Sequence, residues 1–143
     1  MAGNGQTALL FPGQGSQTPD MREHVERHCP ELLELARAEV GDDLFERAEQ
    51  GTRWAQPAIF CAALAGYDLL RDRVEPDLMA GHSLGEIAAL AAADALTAED
   101  GLRLVAARGR LMQEAAEQCA DGGMLAVRAR DRAPVERFAT SAA

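Results

Sequence analysis

Short apolar runs alternate along the chain with longer segments in which apolar residues recur at helical spacing. The run over 7–11 predicts a fully buried strand, and the runs over 78–80 and 124–127 predict two more strands. Strands that alternate with helical patterns are typical of a parallel sheet with helices on both faces. The pattern therefore predicts an α/β fold, a three-layer sandwich with a mostly parallel sheet.

Helical patterns fill most of the remaining sequence. Pro57 is expected near the first turn of its helix, where the missing N–H costs little. Thr97 and Asp100 are spaced as a helix cap, a hydroxyl facing an acid three residues on. The predicted helices cover residues 30–40, 43–50, 56–71, 84–93, 97–118 and 133–139.

Composition narrows the function classes. The chain has 143 residues, of which 48% are hydrophobic, enough for one sizeable core. Its net charge of −9 argues against nucleic-acid binding, because no basic stripe is present to neutralise phosphates. All 14 basic residues are arginine, which excludes a lysine base and a P-loop lysine within this chain.

The three cysteines, at positions 29, 61 and 119, are too widely spaced for a disulfide framework or a zinc site. We therefore expect reduced thiols, no bound metal and a cytoplasmic location. The first residues are polar, so no signal peptide is expected. Charges interrupt every apolar stretch, so no membrane span is expected.

The pentapeptide Gly-His-Ser-Leu-Gly at 81–85 follows a predicted strand and precedes a strong helix former at 86–93. A G-x-S-x-G sequence in that position is typical of a nucleophile elbow, a sharp turn that holds a serine hydroxyl clear of the sheet. Ser83 is therefore the candidate nucleophile, and the backbone N–H of Leu84 is a candidate oxyanion donor. A plain Gly-Ser turn stays open as the alternative.

A glycine-rich loop at 13–17 follows the first predicted strand. Loops at the C-terminal ends of parallel strands gather at one edge of a sheet, so the backbone N–H of Gln14 is a candidate second oxyanion donor for Ser83. A dinucleotide fingerprint is disfavoured, because Thr18 stands where the third glycine is needed. A plain turn remains possible.

Helical spacing places Arg108 on the predicted inward face of the helix over 97–118. A guanidinium on a buried face requires an anion, either a substrate carboxylate or an internal ion pair. Arg110 and Glu114, spaced i, i+4, are expected to pair on the outer face. The apolar stripe that defines the inward face is Leu104, Ala107, Leu111 and Ala115.

None of the three histidines is a convincing general base for the nucleophile. His82 is adjacent to Ser83 on a tight turn, where successive side chains diverge, so it is expected to pack or hydrogen-bond locally. His24 and His28 share one face of a predicted short helix and are expected to be surface residues rather than a metal pair.

Four segments, in this order, resemble one family: the malonyl-CoA:acyl carrier protein transacylases and the related acyltransferase domains of polyketide synthases. The elbow alone is shared with many hydrolases, whereas the ordered set is specific and covers about residues 7–130. The segments are Phe11–Gln17, Gln56–Ile59, Gly81–Glu86 and Arg108–Gln113.

The resemblance implies a ping-pong acyl transfer on an α/β-hydrolase-like core. Ser83 would form a malonyl ester from malonyl-CoA, with the N–H groups of Gln14 and Leu84 holding the oxyanion. Arg108 would bind the malonyl carboxylate, and His82 and Met112 are candidate pocket-lining residues. The acceptor would be the phosphopantetheine thiol of an acyl carrier protein, in fatty acid or polyketide biosynthesis, with no bound cofactor. The leucine after the nucleophile resembles malonyl-selective members.

Members of that family are roughly twice this length, and their catalytic histidine lies in the half without a counterpart here. We therefore expect a fragment, a split-gene product or one piece of a nicked chain, inactive alone and completed by a separate C-terminal half. A glycine pair at 122–123 suggests a boundary between 1–122, part of the large subdomain, and 123–143, the start of a small ferredoxin-like subdomain.

Two other functions stay open. A serine esterase or patatin-like acyl hydrolase would use the same elbow, but it would need an apolar acyl pocket, whereas Arg108 supplies a charge. A non-catalytic fragment that docks the carrier protein would keep the fold without a reactive Ser83.

Overall fold

A computed structural model describes residues 5–41, 44–119 and 129–141. Within these ranges the fold is mixed α/β and mainly helical, and no helix combines the length and apolar character needed to cross a membrane. The elements in chain order are β1 (Ala8–Phe11), α1 (Met21–His28), α2 (Pro30–Glu39), α3 (Thr52–Leu70), β2 (Leu78–Gly81), α4 (Leu84–Ala92), α5 (Ala98–Gln118) and α6 (Arg132–Ser141).

Strands β1 and β2 pair in parallel, with Ala8 opposite Leu78 and Phe11 opposite Gly81. The helices α1, α2 and α3 connect them, because parallel neighbours need a long crossover. Both strands end at the same edge of the sheet, where the N–H of His82 donates to the carbonyl of Phe11 at 3.1 Å. The loop after β1 and the turn after β2 therefore meet there.

Helix α3 forms the centre of the core. It packs against α1, α4 and α5, and every residue from 55 to 61 is buried. Phe60 is fully buried and lies so close to α5 that a Cβ on Gly101 would sit 2.6 Å from its ring. This packing sets the positions of α4, which leaves the elbow, and of α5, which carries Arg108.

The structure confirms most of the predicted helices. Helices α2, α4, α5 and α6 follow the predicted ranges to within a few residues. The cap of α5 is also confirmed, since the Thr97 hydroxyl accepts from the N–H of Asp100 at 3.0 Å. The predicted strand over 124–127 and the boundary at the glycine pair lie outside the described residues.

The prediction that the first strand is fully buried is wrong. Leu9 and Phe11 pack towards the helices, whereas Leu10, on the opposite face of β1, is 78% exposed. Leu78 of β2, on that same opposite face, is 60% exposed. Among the described residues the helices cover one face of a two-stranded sheet, so the complete three-layer sandwich stays a prediction.

Two helix predictions also need correction. Helix α3 begins at Thr52, so Pro57 is its sixth residue and removes the N–H that would have bonded to the carbonyl of Arg53. Tertiary contact supports the extra N-terminal turn, because the side chain of Gln113 on α5 accepts from the N–H of Arg53 at 3.2 Å. Residues 44–50 form turns instead of a helix, and the N–H groups of Ala48 and Gln50 bond to carbonyls three residues back.

Burial separates the reactivities of the three free cysteines. It raises the pKa of the Cys61 thiol to about 12 and that of Cys29 to about 11, whereas Cys119 is exposed. We expect iodoacetamide at pH 8 to modify Cys119 in the folded chain, and Cys29 and Cys61 only after unfolding. Peptide mass spectrometry tests this expectation, and rapid labelling of folded Cys61 would contradict it.

The same thiols predict a loss of stability at alkaline pH. In the unfolded chain they ionise near pH 9.0, but in the folded chain only near 11 and 12. The folded state therefore holds more protons over this window, and the free energy of unfolding should fall as the pH rises above about 9. Urea unfolding at pH 8 and pH 10 measures the difference.

Candidate active site

Ser83 lies between the end of β2 and the start of α4, in a strained backbone conformation with φ 58° and ψ −109°. A non-glycine residue in this region costs of order 1–3 kcal/mol, and such strain is concentrated at functional sites. The side chain of Ser83 is exposed and does not cap α4, although it occupies the N-cap position. The hydroxyl is therefore directed away from the N–H groups of α4 and lies at the surface.

The turn depends on the two glycines of the G-x-S-x-G motif. A Cβ on Gly81 would lie 2.0 Å from the carbonyl carbon of Gly85. A Cβ on Gly85 would lie 2.3 Å from the carbonyl oxygen of Phe11, at the end of β1. Any side chain at either position would push the turn away from the sheet.

The two candidate oxyanion donors are available at this edge. Neither the N–H of Leu84 nor the N–H of Gln14 donates to another described residue. Leu84 opens α4, where the helix dipole favours negative charge, and its side chain is fully buried and anchors the turn. Gly13 packs against the elbow, since a Cβ on it would lie 2.7 Å from the carbonyl oxygen of His82. Because Gly13 contacts the turn, the following residue, Gln14, is also held close to it.

Arg108 reaches Ser83 directly. Its Nη2 donates to Ser83 Oγ at 2.8 Å, and its Nη1 donates to the side-chain oxygen of Gln56 at 2.6 Å. The guanidinium is half-buried and forms no ion pair with any described carboxylate. The alternative of an internal ion pair for Arg108 therefore finds no partner in the described part of the chain.

The apolar stripe that was predicted to define the inward face of α5 is nevertheless not the buried face. Leu104 is 49% exposed and Leu111 is 55% exposed, and the two alanines of that stripe are not buried. The face of α5 that enters the core consists instead of Gly101, Leu102, Val105 and Gly109. Arg108 lies beside this true inner face, which is why it still reaches the site. The outer pair is confirmed, since Arg110 and Glu114 are 3.0 Å apart.

The remaining candidate residues surround this centre. His82 is exposed, and its ring lies against Gly13, where a Cβ would be 2.6 Å from Nδ1. The sulfur of Met112, one turn after Arg108, accepts from the Gln56 amide at 3.2 Å. The rings of His24 and His28 are 5.0 Å apart on α1, and no described group of three metal-ligating side chains is found.

Two residues of the site had no role in the sequence-based prediction. Gln56, on α3, is 1% exposed and holds Arg108. Thr52, at the start of α3, accepts from the side-chain amide of Gln14 at 3.3 Å. The sequence did contain a signal for Gln56: it is a polar residue within the most apolar helical segment of the chain.

A strained serine between a parallel strand and a helix is the arrangement of nucleophile-elbow proteins. Comparison with known proteins then gives the family. The sequence profile of the acyl transferase domain matches residues 31–140, which is more than half of the chain. The chain belongs to the acyl transferase domain family.

Individual relatives agree with this assignment. A malonyl CoA-acyl carrier protein transacylase of Haemophilus influenzae is 38% identical over 133 residues, covering 84% of this chain and 42% of that protein. The polyketide biosynthesis protein ThaF of Burkholderia thailandensis is 42% identical over 137 residues, covering 90% of this chain and 12% of ThaF.

One solved structure is a malonyl-transacylase in complex with a type II PKS acyl-carrier protein. It superposes with a TM-score of 0.66 at 36% identity, covering 78% of this chain and 40% of that chain. This chain thus spans less than half the length of each of these three proteins.

The packing of the elbow predicts a strong effect of one added methyl group. Gly81→Ala should lower the free energy of unfolding by at least about 3 kcal/mol, because the new Cβ meets backbone that cannot move aside. Gly66→Ala in α3 is the matched control, since its Cβ would have its nearest neighbour at 3.8 Å. Alanine there should raise stability by about 0.5–1 kcal/mol. Urea denaturation measures both, and equal effects would contradict the role of Gly81.

Proposed function

We propose that this chain supplies the nucleophile and the carboxylate-binding residues of an enzyme that transfers malonyl groups from malonyl-CoA to acyl carrier protein. The observation that carries the proposal is the 2.8 Å hydrogen bond from Arg108 to Ser83 Oγ. A cation without a described anionic partner, beside a nucleophile, favours an acyl group that brings its own carboxylate. In a malonyl group the carboxylate is one methylene away from the carbonyl that Ser83 would attack. The carboxylate can therefore reach the guanidinium of Arg108 beside Ser83.

The transfer takes place as two acyl exchanges at Ser83. In the first, Oγ attacks the thioester carbonyl carbon, and the resulting oxyanion accepts from the N–H groups of Gln14 and Leu84. Collapse of this adduct forms the malonyl ester, and the CoA thiol leaves with the proton that the serine has lost. In the second, the phosphopantetheine thiol of the carrier protein attacks the ester and frees Ser83.

Arg108 has a second effect in this scheme. A malonyl carboxylate that binds the guanidinium competes with Ser83 Oγ for Nη2, because Nη1 already donates to Gln56. Binding of the correct acyl group therefore releases Oγ from its hydrogen bond to the cation. An acetyl group, which lacks the carboxylate, leaves that bond in place.

The general base in this proposal is a histidine outside the described residues. Ser83 Oγ is hydrogen-bonded to Arg108, and no described histidine bonds to it. The relatives are more than twice as long as the part that this chain matches, which leaves room for such a residue. In this view residues 1–122 belong to the large subdomain, 123–143 begin the small ferredoxin-like one, and a C-terminal half completes the three-layer sandwich and adds the base.

The partners in the proposal come from the relatives. The Haemophilus protein is named for malonyl CoA and acyl carrier protein, and the solved transacylase holds an acyl-carrier protein. ThaF is named for polyketide biosynthesis. The proposal therefore covers carrier proteins of fatty acid or polyketide synthesis.

Replacing Arg108 tests the carboxylate-binding role. In the natural full-length protein, Arg108→Ala should lower kcat/KM for malonyl-CoA about a hundredfold, the expected effect of losing one partner of a desolvated charge pair. Transfer from acetyl-CoA should be unchanged or faster. Arg110→Ala is the matched control, because Arg110 is two residues further on and pairs with Glu114. An unchanged malonyl:acetyl ratio in Arg108→Ala would favour an acyl hydrolase instead.

Covalent labelling tests the nucleophile. After brief exposure to malonyl-CoA, the full-length protein should gain the mass of one malonyl group, mapped to the peptide that contains Ser83. Ser83→Ala should abolish this adduct. An unreactive serine in a folded full-length protein would favour a docking role. Full turnover by residues 1–143 alone would contradict the placement of the base elsewhere.

A further inference from the structure

Gln56 is the one polar side chain recorded as buried among the described residues, at 1% exposure. It lies on α3 within the buried run 55–61. Burying an amide costs free energy unless its donors and its acceptor are paired. The partners of Gln56 should therefore explain why a polar residue occupies the centre of an apolar helix.

Both ends of the Gln56 amide meet residues of α5. The oxygen accepts from Arg108 Nη1 at 2.6 Å, and Nε2 donates to the sulfur of Met112 at 3.2 Å. A guanidinium only donates, so the amide oxygen has to face it, and the thioether is an acceptor for the amide N–H. The two contacts fix the orientation of the amide and, through it, that of the guanidinium.

The chemistry of residue 56 decides how much charge Arg108 retains. A glutamate would hold the guanidinium in a similar place, but its carboxylate would neutralise the cation. Glutamine holds it through a neutral oxygen, so the positive charge stays uncompensated. The other terminal nitrogen, Nη2, donates to Ser83 Oγ at 2.8 Å, where the proposed function places the acyl group.

We propose that Gln56 is a positioning residue that determines acyl specificity: it orients Arg108 without neutralising it, so that the full charge is available to the carboxylate of the acyl group. This inference rests on the proposed function, in which that carboxylate belongs to malonyl. It makes the preference for an acidic acyl group depend on the neutrality of a buried side chain that does not itself contact the acyl group.

The test compares Gln56→Glu and Gln56→Leu in the natural full-length protein, with kcat and KM for malonyl-CoA and for acetyl-CoA. The Glu variant should lower kcat/KM for malonyl about tenfold or more and leave acetyl unchanged or faster, because Arg108 stays in place but loses its net charge. The Leu variant should raise KM for malonyl with little change for acetyl, because the guanidinium keeps its charge but loses its fixed orientation.

Gln113→Glu is the control for adding a negative charge at the contact between α3 and α5. Gln113 bonds to the N–H of Arg53 at 3.2 Å, and its recorded bonds do not include Arg108. Its malonyl:acetyl ratio should equal that of the unmodified protein. Thermal unfolding of each variant ensures that folded proteins are compared, and the Leu variant carries the test if the Glu variant does not fold.

Two outcomes would overturn the inference. A parallel loss for both acyl groups would mean that Gln56 is only structural. An unchanged malonyl:acetyl ratio in the folded Glu variant would mean that its neutrality has no effect on specificity. If Arg108→Ala still alters the ratio in that case, the proposed function stands and only the role of Gln56 fails. If Arg108→Ala leaves it unchanged as well, both fail.

Discussion

The candidate site depends on how closely the turn after β2 approaches the end of β1. Gly85 packs onto the carbonyl of Phe11, and Gly81 packs onto Gly85, with no room for a Cβ at either position. This contact joins the parallel strands, the turn and the start of α4 into one unit. It also holds Ser83 at a positive φ, because the chain has to reverse within two residues. An exposed hydroxyl, and a Leu84 N–H that bonds to no other described residue, follow from the same constraint.

A second close approach brings the cation to that unit. Helix α5 lies against α3 through small residues, and a Cβ on Gly109 would be 2.7 Å from the carbonyl oxygen of Thr52. Because the helices are this close, Arg108 can bond both to Gln56 of α3 and to Ser83 of the elbow. The candidate site therefore combines a backbone contact that fixes Ser83 with a helix contact that fixes the charge of Arg108. Under the proposed function, the first contact supports the chemistry and the second selects the acyl group.

The prediction for Arg108 was correct although the helix face on which it was based was wrong. A count of large apolar residues selects the stripe that contains Leu104 and Leu111, and both are exposed. The face that enters the core contains Leu102 and Val105, but its other two residues, Gly101 and Gly109, contribute no apolar side chain to a periodicity count. Close helix packing favours such small residues, so a pattern weighted towards large side chains misses it.

Local sequence determined the elbow motif, the cap of α5 and most helix ranges, because these depend mainly on backbone conformation and on hydrogen bonds between neighbours in the chain. The G-x-S-x-G motif at 81–85 and the cap at Thr97 can be recognised in the sequence alone, although the contact of Gly85 with Phe11 is a tertiary one. Tertiary structure decided which face of α5 is buried, where α3 begins and which side chain holds Arg108. Those features depend on contacts between residues more than 50 positions apart, such as Gln56 with Arg108 and Arg53 with Gln113. The sequence pattern of one helix does not specify which other helix packs against it.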